Sequence, residues 1–310
     1  MLLSISTTHE PAADLGYVLC KHPERFQSFE LSFGQAHVFY PEVTETACTF
    51  CLLLDVDPVA MVRGKAAGQR FLLEQYVNDR PYVASSLMSV AISQVLGSAL
   101  GGRCHTRPEL AATPLPLTAR LDVLPVRGGE EFLRRVFAPL GYQVAATRQP
   151  LDQERFPEWG DSPYFSVTLE GTKTLSELLT HLYVLIPVFD NEKHYFVGDD
   201  ELEKLLAKGA GWLAAHPEKE QITRRYLKHR TTLYREALAR LSAEESPQRE
   251  AMAEGGNQKA PEEAELEQPL SLNQQRHEAV LAVLRDRGAQ SVLDLGCSDG
   301  KFLKLLFEEK

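Results

Sequence analysis

Three observations predict an α+β body with an antiparallel or mixed sheet, followed by an acidic linker and the start of a second domain. Short runs of alternating, β-rich residues between Gly and Pro signals open the chain. Helical periodicity then appears in loose alternation with further strands, which fits α+β better than a regular βαβ series. Finally, a tract rich in Glu, Gly and Pro and without aromatics separates residues 1–242 from residues 271–310.

In chain order, Leu2 to Ser6, Phe29 to Leu31, Ala36 to Tyr40 and Thr44 to Leu54 read as strands of an antiparallel sheet. Val83 to Leu100 (VASSLMSVAISQVLGSAL) has small and apolar residues at helical spacing and a Gly101-Gly102 stop, the pattern of a buried helix. A strand ending near Leu124, a helix from Glu130 to Pro139, strands near Tyr142 to Ala146 and Tyr164 to Leu169, and a helix from Leu175 to Tyr183 follow. After Gly198 the pattern turns helical and ends in Lys219 to Leu241. There Ile222, Tyr226, Leu233, Ala237 and Leu241 share one face, and Arg224, Lys228, Thr231 and Arg235 another. The second face reads either as a solvated helix surface or as a site for an acidic partner or an RNA backbone.

The 310 residues are 44% hydrophobic and 25% charged, ordinary for a packed protein with length for about two cores. Of the formal charge of −10, residues 243–270 contribute eight acids against two bases, leaving −4 for 1–242 and 0 for 271–310. Such a body argues against a dedicated nucleic-acid module, although a local basic groove stays open. The longest apolar runs, Ala47 to Leu54 and Leu182 to Phe189, fall far short of the roughly 20 residues a membrane span needs. No secretory signal is readable, and the five cysteines form no disulfide framework, so a reducing cytoplasm is expected.

The segment 243–270 reads as a flexible linker. Beyond it, Leu272 to Arg287 reads as an amphipathic helix and Ser291 to Leu295 as a strand. Gly296-Cys297-Ser298-Asp299-Gly300 forms a loop leading into a helix from Lys301 to Phe307. A strand carrying Asp294, a small polar glycine loop and a helix resemble the first motif of Rossmann-like S-adenosylmethionine-dependent methyltransferases. By that resemblance Asp294, Gly296, Cys297 and Gly300 are the cofactor-binding candidates in a truncated methyltransferase start, 271–310. The ribose-binding acid of such folds lies about 20 residues further on, so the site is partial and no methyl transfer is expected from this chain.

Other patterns invite chemistry and have plainer readings. Cys48 and Cys51 have redox or metal spacing, but three residues apart on a strand their thiols point to opposite faces. Asp55-Val56-Asp57 at a strand end resembles the nucleophile motif of haloacid-dehalogenase-type phosphatases, with Asp199-Asp200 as a metal-binding counterpart. That reading needs a parallel sheet, and turn or cap aspartates are its alternative. His181, His194, His216 and His229 share no ligand spacing and read as structural or surface residues.

Four stretches carry a resemblance over most of the chain: Gln75 to Ser86 (QYVNDRPYVASS), Leu124 to Gly129 (LPVRGG), His181 to Val188 (HLYVLIPV) and Lys193 to Gly198 (KHYFVG). Together they resemble the bacterial RNA 3′-terminal ribose 2′-O-methyltransferases, the RNA-repair partners of bacterial polynucleotide kinase-phosphatase. The resemblance implies an N-terminal part that binds the partner's ligase portion and activates it. It also implies a C-terminal domain that methylates RNA 3′ ends with S-adenosylmethionine and a divalent metal, held by a Glu-x-x-Glu-His pattern that does not follow Gly300 here. This chain is therefore expected to hold no catalytic or metal-binding residue of its own. The alternatives are an RNA-end-binding module delivering substrate to the methyltransferase, and a metal-dependent phosphatase at Asp55 and Asp57. Arg63, Lys65, Arg70, Arg224, Lys228 and Arg235 are the candidates for partner or RNA contact, with a neutral apolar patch as an equal alternative. Asn78 to Pro81 reads as a turn into a helix, or as part of a contact surface.

Overall fold

The alternation of side chains along three strands decides the layering. Leu3, Ile5 and Thr7 of β1 (Leu2–Thr7) are buried, and so are the residues opposite them. These are Leu52, Phe50 and Cys48 of β4 (Cys48–Val56), and Leu121, Ala119 and Leu117 of β5 (Leu115–Pro125). Ser4, Ser6, Thr118 and Arg120 point the other way and are half-buried or exposed. One face of the sheet thus meets the core and the other meets solvent, as a period of two requires.

The computed structural model describes residues 1–58, 83–152, 154–191, 199–227, 231–245 and 301–308, with single positions at 280, 284, 291 and 292. With β2 (Gln27–Leu31), β3 (Gly34–Val43), β6 (Gln143–Pro150) and β7 (Asp161–Lys173), the sheet has seven strands in the order β2-β3-β4-β1-β5-β7-β6. Every pairing is antiparallel, resolving the antiparallel-or-mixed expectation. The β2–β3 turn requires glycine at position 34. Its φ is +144°, and a Cβ there would sit 2.1 Å from the Asp55 carbonyl oxygen.

Helices cover the inner face. α1 (Asp14–Leu19) lies against β4, and Asp14 anchors it through a 2.6 Å ion pair with Arg107 at the start of α4 (Pro108–Ala111). α2 (Ser86–Val95) and α3 (Gly97–Leu100) divide at Leu96 the single helix read from Val83 to Leu100; Gly102, with φ +65°, ends the pair. α5 (Gly129–Phe137) touches β6. At the centre runs α6 (Leu175–Asp190), in contact with β5, α2, α3, α7 (Asp199–Gly209) and α8 (Lys219–Tyr226). A helix so enclosed needs apolar residues on all sides, and 13 of its 16 are buried.

Three differences from the sequence reading have clear causes. α6 continues seven residues past Tyr183, because Leu182 to Phe189 lacks periodicity only through being buried all round. Pro187 sits in its last turn and still accepts the Asn191 N–H at 2.9 Å. Lys219 to Leu241 forms two helices, α8 and α9 (Thr231–Glu245), since α8 ends at a Leu227 cap. The five predicted core residues of that stretch are nevertheless all buried. α1 gave too few residues for a periodic signal.

The chain divides into two units, Met1–Arg249 and Glu250–Lys310. In the second, α10 (Lys301–Glu308) forms where a helix was expected, Val280 and Leu284 are helical, and Val292 is 41% exposed. Among the described residues no helix is long and apolar enough to cross a membrane.

Candidate functional site

The polar groups most suggestive of chemistry are structural. Tyr142 Oη and His181 Nδ1 lie 2.8 Å apart in the core, with Trp212 packed edge-on against the imidazole at 5.0 Å. Burial, aided by Lys173, lowers the His181 pKa to about 4, while burial raises that of Tyr142. At neutral pH an un-ionised phenol and an uncharged imidazole therefore share this hydrogen bond. His216 is fixed likewise: Nε2 donates to the Val136 carbonyl at 2.9 Å and Nδ1 accepts the Glu218 N–H at 3.0 Å. The expectation of structural histidines holds for these two; His194 and His229 lie outside the described residues.

Cys48 and Cys51 behave as packing residues on opposite faces of β4, with burial pushing the Cys48 thiol up to about 11. Neither is a reactive thiolate. Asp55 is exposed on the same strand, between antiparallel neighbours β3 and β1, which removes the parallel βα frame that the phosphatase reading requires. Among the described residues no group of three or more His, Cys, Asp or Glu is placed to hold a metal ion.

The Leu124 to Gly129 stretch makes the corner between β5 and α5. Gly128 has φ +118°, and a Cβ on it would stand 3.1 Å from Phe132 Cβ. Arg225 of α8 closes this corner: its guanidinium lies 4.1 Å from the Phe132 ring centroid and donates to the Arg127 carbonyl. Arg135 bonds Glu218 at 2.8 Å on the same side. The residues that carry resemblance here thus form a turn, clamped by an arginine from outside those stretches.

Of the predicted contact residues, Arg224 on α8 and Arg235 on α9 are exposed. They occupy two helices, which replaces the continuous basic face expected of a single helix. Arg63, Lys65, Arg70 and Lys228 lie outside the described residues, as do Asp294, Gly296, Cys297, Gly300, and Asn78 to Pro81.

Two exposed aromatic clusters were not singled out from sequence. Phe26 stacks on His37 at 5.5 Å and on Phe39 at 6.4 Å, beside the solvent face of β3. In the loop between β6 and β7, the rings of Phe156 and Trp159 lie 4.4 Å apart and 8° from parallel, and they are 41% and 56% exposed. Two large aromatics inside a charged stretch bounded by Pro150 and Pro163 were the available signal.

A chain in a solved "Structure of Pnkp1/Rnl/Hen1 complex" matches with a TM-score of 0.51 at 14% identity, over 79% of this chain and 56% of that one. A chain in "Structure of the Pnkp1/Rnl/Hen1 RNA repair complex" matches with a TM-score of 0.44 at 15% identity, over 67% and 47%. This chain spans about half the length of those solved chains. No curated protein sequence matches it. Residues 1–242 match the family model described as "RNA repair, ligase-Pnkp-associating, region of Hen1", and the chain belongs to that family.

Proposed function

We propose that residues 1–242 dock onto the ligase portion of a bacterial polynucleotide kinase-phosphatase and raise its ligase activity. The observation that carries this reading is the family match over those residues, joined to a body whose buried His181 and His216 are held by internal hydrogen bonds and whose apolar side chains reach solvent at defined places. An activator must bind the competent conformation of its partner better than the incompetent one, because equal affinity shifts no equilibrium. A differential of about 3 kcal/mol moves a two-state ligase from mostly idle to mostly competent, well within what a protein interface of ordinary size supplies.

In the same proposal, residues 271–310 open a methyltransferase domain of a longer cytoplasmic protein acting on RNA 3′ ends. S-adenosylmethionine supplies the methyl group in such a domain, and Asp294, Gly296, Cys297 and Gly300 are assigned to hold it; the divalent metal belongs to the part that follows in longer relatives. Adding the chain to its cognate kinase-phosphatase is expected to stimulate ligase self-adenylylation. Unchanged adenylylation at saturating chain counts decisively against the reading.

A further inference from the structure

The described residues of the loop between β6 and β7 are joined by backbone hydrogen bonds. The Leu151 N–H donates to the Gly160 carbonyl at 2.9 Å, the Phe156 N–H to the Asp152 carbonyl at 2.8 Å, and the Trp159 N–H to the Phe156 carbonyl at 3.0 Å. The Asp152 carboxylate accepts the Arg155 N–H at 3.0 Å. This turn holds Phe156 and Trp159 stacked on each other and open to solvent, with Leu151 exposed beside them. Neither ring belongs to the core, so the fold does not explain them. A hydrogen-bonded turn presenting aromatic surface suits binding, because exposed aromatic anchors are the side chains that carry most interface energy.

Charge narrows the choice of occupant. Asp152, Glu154, Glu158 and Asp161 flank the pair in the chain, against Arg155. A base of single-stranded RNA could stack on such rings, but its phosphates would meet mainly carboxylates. A protein surface with lysine and arginine around an apolar pocket fits both features, and a ligase that grips RNA ends must carry cationic surface.

Resting on the association proposed above, we infer that the β6–β7 tip is a docking knob, with the Phe156–Trp159 pair filling an apolar, basic-rimmed pocket on the ligase partner. The test uses the whole chain and its cognate kinase-phosphatase, titrated by calorimetry. Phe156→Ala with Trp159→Ala is expected to weaken binding by about 30-fold or more. Glu154→Lys with Glu158→Lys is expected to slow association and to reverse the sign of its salt dependence. If the aromatic double variant binds within about twofold of the unaltered chain, the knob is refuted while the association stands. Failure of the unaltered chain to bind overturns both. A double variant that keeps the partner but loses RNA binding, or loses self-association, shows that the tip serves another occupant and likewise overturns the inference.

Discussion

α6 with the corner at residues 124–129 and the β6–β7 tip are opposite kinds of structure. Around α6 nearly every side chain is buried and several polar groups are hydrogen-bonded inside the body: Ser89 donates to the Tyr183 carbonyl at 2.9 Å, Ser176 to the Leu100 carbonyl at 3.0 Å, and Tyr142 is bonded to His181. At the tip two large rings stack on each other and remain partly exposed. The described segments that carry the family resemblance fall in the first region. Their message is therefore about how the body is built.

The contrast can be broken in several ways, taken from the largest expected effect down. Phe189 stacks on Phe137 at 5.4 Å and meets Phe132 edge-on at 5.6 Å, so Phe189→Ala is expected to cost about 3–5 kcal/mol in denaturant unfolding. A much smaller loss would mean that the centre is less tightly packed than its burial indicates. Acid comes next. His181 has a folded-state pKa of about 4 against an ordinary 6.5, so the unfolded chain binds the extra proton in that window. Stability is full above about pH 6.5 and falls as pH drops towards 4, by about 2 kcal/mol between pH 7 and 5. Unfolding curves should show this component shrinking in His181→Gln; an unchanged slope would relocate the acid sensitivity.

A finer comparison concerns the start of α6, where Thr174 and Glu177 form a reciprocal cap with N–H bonds of 3.2 and 2.9 Å. Thr174→Ala should lower stability by about 1 kcal/mol and shift the thermal midpoint accordingly. At the far end of the scale, Phe156→Ala with Trp159→Ala should change stability by no more than about 0.5 kcal/mol. A large destabilisation there would make the tip part of the core and erase the distinction.

What could be read from sequence follows the same division. Alternation revealed the sheet, because β1, β4 and β5 each bury one face, and the Cys48–Cys51 spacing correctly placed the thiols on opposite sides. The second half of α6 was illegible because a helix buried all round has no periodicity. The break at Leu227 escaped notice because the apolar residues before and after it keep helical spacing and are equally buried. Phe156 and Trp159 were visible as residue types, but whether a ring turns inward or outward depends on neighbours that only the assembled hairpin supplies.

The place of β1 in the sheet has a consequence for biosynthesis. It precedes both of its neighbours in the chain, yet it pairs on one side with residues 48–53 and on the other with residues 117–121. At roughly 5–20 residues per second, the ribosome needs on the order of ten seconds to deliver the second neighbour. Until then a nascent apolar strand waits with an open edge, so slow maturation and a call on chaperones are built into the order in which this polypeptide is made.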